Sequence, residues 1–327
     1  MTPDIHNSLH VVDGLQYSNW SRPLLEELRT GGLTAVHVTL AYWEDARASL
    51  ARIGDWQRRF REHADLIIHA RTVGDVLAAK AARKTAIIFG FQNCSPIEND
   101  LSLVQTFHEL GVRFMQLTYN NQSLLGSGCY EPNDAGVSRF GREVIREMNR
   151  VGLVIDLSHS SQRTSLDAIE LSRRPVVISH ANPNFFHQNV RNKSDRLLKA
   201  LAERGGLLGF SLYPLHIGGA DCPLESFCDM VKRAAELMGI DHIGFGTDSV
   251  RGWPDSELDW MRNGRWTEGA SGSAKPSWPE WPAWFRTPAD FPNLTHALLR
   301  HGFARGEVAK IMGDNWLRIF RDGFGPG

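Results

Sequence analysis

Apolar positions along the chain fall into two kinds of segment. In one they form short, nearly unbroken runs; in the other they recur every three or four residues. The first kind reads as buried strands and the second as amphipathic helices. Strand-like runs occupy residues 10–13 (HVVD), 33–42, 85–92, 112–119, 153–157, 175–178, 207–213 and 242–248, with a shorter extra run at 66–69. Helical spacing covers 23–30, 43–63, 73–83, 101–110, 141–150, 164–173, 195–204 and 223–238, and two further helices, 293–302 and 307–320, close the chain. Glycines mark several helix ends, at Gly31-Gly32, Gly111, Gly152 and Gly205-Gly206. Asn293 or Thr295 is the expected cap of the helix at 293–302.

Strand and helix alternate throughout, the pattern of an α/β protein with a parallel sheet. About eight such repeats over roughly 250 residues suit a (β/α)8 TIM barrel. The alternative, a doubly wound sheet, usually carries a glycine-rich turn after its first strand, whereas this chain reads Asp13-Gly14-Leu15-Gln16 there. No shift in composition marks a domain boundary, so residues 1–327 are expected to form a single barrel domain with C-terminal closing helices. A barrel's active site lies at the C-terminal ends of its strands. Gln92, Tyr119, His159, His180 and Asp248 share that address.

The stretch 152–192 adds chemistry to the pattern. Its two strand-like runs end in Ser158-His159 and Ser179-His180, joined by a helical segment. Parallel strands would bring both imidazoles to one rim, where they could hold a metal ion or simply bond to backbone. The segment 253–286 differs from the rest: Trp253, Trp260, Trp266, Trp278, Trp281 and Trp284 lie among Pro, Gly, Ser and charged residues. It reads as a long loop acting as a lid, a subunit contact, or a strap packed across the barrel mouth.

Charge and cysteine content narrow the setting. The net charge is −1 and the pI near 6.9, so no nucleic-acid or membrane partner is implied. Cys94, Cys129, Cys222 and Cys228 form no CxxC pair and read as reduced thiols. The first residues lack a basic region followed by an apolar run, and no apolar run is long enough to span a bilayer. A cytoplasmic protein is expected.

LVIDLSH at 153–159, PVVISHANP at 175–183, NVRN at 189–192, HIGFGTD at 242–248, FPNLT at 291–295 and IMGDNWLRIF at 311–320 occur in this order. Together they resemble the membrane (renal) dipeptidase family, the M19 metallopeptidases, over most of the chain. The resemblance implies a metallo-dependent-hydrolase-like (β/α)8 barrel, a binuclear zinc site, cleavage of dipeptides, and compatibility with a homodimer. It also shows where this chain departs. Leu15 and Tyr17 stand where the family has the His and Asp of its first metal motif, Gln92 where it has the bridging Glu, and Tyr119 where it has a substrate-binding His. What matches is His159 and His180 as metal ligands, Arg191 as the residue that holds a substrate carboxylate, and Asp248 of the GTD motif.

A pair of dications about 3.5 Å apart needs a bridging anion, and the replacements remove both carboxylates. The resemblance therefore implies at most one zinc, on His159, His180 and a weak Gln92 oxygen or Asp248, or none. The expected function is hydrolysis of a dipeptide or another small carboxylate-bearing amide. In it Asp248 manages the proton, Tyr119 supports the developing oxyanion, Arg191 binds the carboxylate, and Tyr17 supplies a second hydroxyl. The alternative is a catalytically altered or metal-free member that binds a small amino-acid-like ligand. Asp156, inside its strand, is expected to be structural.

Overall fold

The computed structural model describes residues 5–264 and 277–324. Nine parallel strands form the sheet: β1 (Val12–Gln16), β2 (Ala35–Ala41), β3 (Ile67–His69), β4 (Thr85–Phe91), β5 (Val112–Gln116), β6 (Val154–Asp156), β7 (Val177–Ala181), β8 (Leu207–Phe210) and β9 (Ile243–Phe245). Eight of them run in the order β1-β2-β4-β5-β6-β7-β8-β9. The ninth, β3, pairs only with β4, alongside Thr85–Ile87, while β5 takes over beside Phe89–Phe91. The circle closes where β1 meets the end of β9: Tyr17 N donates to Ser249 O and Asp248 N to Leu15 O, each at 3.1 Å. The result is a (β/α)8 barrel.

β2, β4, β5, β6, β8 and β9 stop short of the C-terminal ends of their apolar runs, whereas β1 and β7 run three residues past theirs. Pairing register shifts near those ends in β1, β2 and β7, and the freed residues turn side chains toward the mouth. Several helices begin where a polar side chain takes up a free N–H rather than where apolar spacing begins. Thus Arg139–Val151 starts behind Ser138, whose oxygen accepts from Gly141 N, and Gln162–Leu171 starts behind Ser161, which accepts from Thr164 N. The helix Phe291–Arg300 is capped by neither Asn293 nor Thr295. Thr287 caps the 3-10 turn Pro288–Asp290 that leads into it, Asn293 donates to Trp284 O, and Thr295 pairs with His6.

The closing helix expected at 307–320 is three pieces: Arg305–Ala309, a π-helical turn at Lys310–Asp314, and Asn315–Gly323. Hydrogen bonds to the barrel floor account for the break. Asn315 donates to Ile240 O and Ile243 O, and the Trp316 indole to Phe245 O, all at 2.8 Å. Trp316 is fully buried and plugs the barrel from below with Phe114, Phe320 and Phe324. A Cβ on Gly14 would fall inside its ring, so only glycine fits there.

The Trp-rich segment is not structureless throughout. It contains a helix, Asp255–Asn263, whose Leu258, Met261 and Arg262 line the cavity at the barrel mouth. Trp253 donates to Tyr17 O (2.8 Å), Trp43 donates to Met261 O (3.1 Å), Trp278 packs on Tyr17, and Trp281 packs on Tyr213. Trp266 lies outside the described residues. Among those described, no helix is long and apolar enough to cross a membrane.

Candidate active site

The strand ends place His159 and His180 side by side. Their Nε2 atoms are 3.0 Å apart, and Gln92 Oε1 is 3.1 Å from His159 Nε2. Their remaining ring nitrogens decide what those atoms can do. Asp156 accepts from Ser158 N and Oγ and from Ser179 N and Oγ, which fixes both hydroxyls toward the carboxylate. Ser179 Oγ can then only accept from His180 Nδ1, 2.7 Å away, so the His180 proton sits on Nδ1. His159 Nδ1 faces Asn120 Oδ1 at 2.7 Å and carries its proton there. Both Nε2 atoms present lone pairs, and with Gln92 Oε1 they form three converging acceptors. Burial, reinforced by Arg191, holds both imidazoles well below their usual pKa, so they are neutral.

His180 is fully buried behind His159, whereas His159 faces a cavity of about 100 Å³. The cavity is lined also by Tyr17, Gln92, Tyr119, Arg191 and Asp248, so five further residues expected from the sequence do converge. Tyr119 stacks on the His159 ring with centroids 4.2 Å apart. Burial raises the hydroxyls of both Tyr17 and Tyr119 well above the ordinary phenol, keeping them protonated donors. Asp248 has a positive φ of 59°, and burial raises its carboxyl to about 7 against the pull of Arg191. Asn120, which holds His159, has φ 58°. Asn and Asp tolerate this conformation best among side-chain-bearing residues, and both spend it aiming a group at the site.

Arg191 is the most unusual group present. Only 7% of it is exposed, and its Nε and Nη2 are buried without a hydrogen-bond partner. Among the described residues it makes no ion pair, with Asp195 or any other acid. A buried guanidinium with unused donors in a cavity wall is built for an anion. Lys193 lies close behind it, fully buried, its Nζ donating to Ser160 O (3.0 Å) and its pKa lowered by burial to about 8.

Residues 16–258 match the family described as membrane dipeptidase, peptidase family M19. The chain belongs to that family. Dipeptidase tcpJ of Claviceps purpurea is 29% identical over 280 residues, 84% of this chain and 60% of its own length. Dipeptidase aclJ of Aspergillus oryzae is 27% identical over 287 residues, 86% of this chain and 62% of its own. The chain thus spans about three fifths of the length of these curated relatives. Among solved structures, one described as an amidohydrolase from Pseudomonas aeruginosa is 38% identical and superposes with a TM-score of 0.93 over 98% of both chains. A metallo peptidase from Rhodobacter sphaeroides, liganded with a phosphinate mimic of L-Ala-D-Ala, is 19% identical over 96% of this chain and 99% of its own, with a TM-score of 0.79; this likeness shows the fold.

The pair of metal ions that M19 membership implies does not fit these residues. Leu15 is fully buried, Tyr17 offers a protonated phenol, and Gln92 is neutral, so nothing supplies the bridging anion. Nearby Asp13 is occupied, accepting from Gln16 Nε2 and from Thr247 N and Oγ1. A single ion does fit the donor set: His159 Nε2, His180 Nε2 and Gln92 Oε1 converge without a proton among them. Their nitrogen separation is near the ~3.3 Å that two imidazoles keep on one tetrahedral zinc. Asp248 is not the third ligand. Among the described residues, no three His, Cys, Asp or Glu side chains lie close enough to share an ion.

The strand-end rule, applied also to β8, would have found two more wall residues, Tyr213 and His216. His216 is buried, with Nδ1 2.8 Å from Ser211 Oγ and 4.0 Å from Asp248 Oδ2. Asn120 and Asn189 come from irregular loops, and Leu258, Met261 and Arg262 from the helix across the mouth. The segment 253–286 reads as a lid or a strap across the mouth and NVRN as a motif, but no spacing singles out these side chains.

Proposed function

We propose that this M19 member hydrolyses a small amide bearing a carboxylate next to the scissile bond, a dipeptide or an N-acyl amino acid, with at most one zinc. The observation that carries the reading is the buried, unpartnered guanidinium of Arg191 in the same wall as Asp248, Tyr119 and the His159–His180 pair. Arg191 receives the substrate carboxylate through parallel N–H donors and fixes the direction of the amide. Asp248 takes a proton from the attacking water and returns it to the departing nitrogen as the C–N bond breaks. Its raised pKa suits both transfers near neutrality. Tyr119, held protonated, donates to the carbonyl oxygen as negative charge builds there, and Tyr17 offers a second donor. A zinc on His159, His180 and Gln92, when bound, supplies Lewis acidity toward water and carbonyl.

A second reading, a ligand-binding protein without hydrolysis, is favoured by one observation: Leu15, Tyr17 and Gln92 fill the place of the missing ligands. Turnover of dipeptides and N-acyl amino acids with added zinc separates the two. Cleavage faster than by a His159→Ala/His180→Ala variant is expected. No cleavage, with carboxylate ligands still raising the melting temperature in EDTA, would favour the second reading.

A further inference from the structure

Size sets the first constraint. The cavity of about 100 Å³, open to solvent at its mouth, is below the ~300–1,000 Å³ of sites that enclose a drug-sized ligand. It holds the amino-acid end of a substrate around Arg191, and the other end must lie outward. Outward, three barrel loops present apolar side chains to solvent. Tyr130, after β5, is 57% exposed; Val190, after β7, is 56% exposed; Leu215, after β8, is 51% exposed. Tyr130 and Leu215 line the same cavity as Arg191, and Val190 is its chain neighbour. The latter two loops are tied together by Asn189 Nδ2 donating to Leu215 O at 2.9 Å. A lone exposed apolar residue is ordinary, but a cluster at the mouth of one cavity points to a ligand.

Charge sets the second constraint. Two guanidiniums, Arg191 and Arg262, face one carboxylate, Asp248, in the cavity wall. The wall favours a substrate with a negative carboxylate and no ammonium to offset it. A free dipeptide carries that ammonium; an N-acyl amino acid does not.

From these observations we infer that the preferred substrate is an amino acid carrying an apolar N-acyl chain, with its carboxylate on Arg191 and its chain laid across Tyr130, Val190 and Leu215. The inference rests on the carboxylate reading above and sharpens it to a substrate class. Tyr130 and Leu215 line the cavity that holds the head group, and Val190 adjoins Arg191 in the chain, so the occupant of the rim is the same molecule's other end.

The test is an affinity series with N-acetyl-, N-butyryl-, N-hexanoyl- and N-octanoyl-alanine of each hand, and Ala-Ala. It is measured by calorimetry or as KM on wild type, Arg191→Met and Val190→Ser/Leu215→Ser. The double variant changes exposed residues only, and its melting temperature checks that it folds. Affinity is expected to rise on the order of threefold per added methylene and to exceed that for Ala-Ala. In the double variant the rise should flatten. A flat series in wild type, or an equal slope in the double variant, overturns the rim assignment but leaves the carboxylate reading intact. If no member of the series binds, or all bind equally well to Arg191→Met, both fall. A flat series together with a dimer that the double variant breaks in sedimentation would make the rim a subunit contact and overturn the inference.

Discussion

Asp248 concentrates the chemistry of the site in one residue. Its folded pKa, about 7, lies above the model-peptide value of 3.8 because burial disfavours the charge. For a carboxyl raised in this way, the stability contribution is complete below about pH 4 and is lost as pH rises through about 7. In chelated, ligand-free protein, Asp248→Asn should therefore gain on wild type between pH 5 and 8. Urea midpoints at the two pH values check this; an unchanged gap would show that the carboxyl is not buried and neutral. In catalysis the sign is opposite. A proton acceptor must be ionised, so kcat/KM should climb through about pH 7, and Asp248→Asn should lose ~10²–10⁴-fold. Residue identity at the site was legible because each of Gln92, Tyr119, His159, His180 and Asp248 ends an apolar run. Which nitrogen carries each proton was not, because that depends on Asp156 and Asn120 reaching the rings from other strands and loops.

At the scale of elements, Asp156 joins β6 to β7. It accepts four hydrogen bonds from two serines and, through Ser179, sets the His180 proton. Asp156→Ala strands those buried donors and should cost about 3 kcal/mol or more, read as a shifted denaturant midpoint. The milder Asp156→Asn should fold and show altered His180 ring-nitrogen shifts by NMR. The closing helix offers a second case. Trp316→Ala removes the plug under the barrel along with its bond to Phe245 O and should cost about 3–5 kcal/mol; Gly14→Ala should be comparably damaging by overpacking. Helix and strand positions were readable from apolar spacing. The π turn at Lys310–Asp314 and the helix at Asp255–Asn263 were not, because hydrogen bonds to the barrel floor and packing on the mouth produce them.

For the molecule as a whole, metal and fold should come apart. His159 and His180 are buried, neutral and hydrogen-bonded through Nδ1 without an ion, so chelation should abolish zinc-dependent turnover yet move the melting temperature little. Elemental analysis should find no more than one zinc per chain, absent from His159→Ala/His180→Ala. Two equivalents would show that a ligand set exists beyond the residues identified.

By itself the sequence determined the α/β alternation, the family and the ring of strand-end residues. All of these follow from residue type and spacing along one chain. Only the tertiary structure decided that Arg191 is buried with unused donors, that Asp248 stands apart from the histidine pair, and that Tyr130 and Leu215, far apart in sequence, line the same cavity. Burial and distance are properties of the closed barrel, where the environment of each side chain is set mainly by strands and loops other than its own.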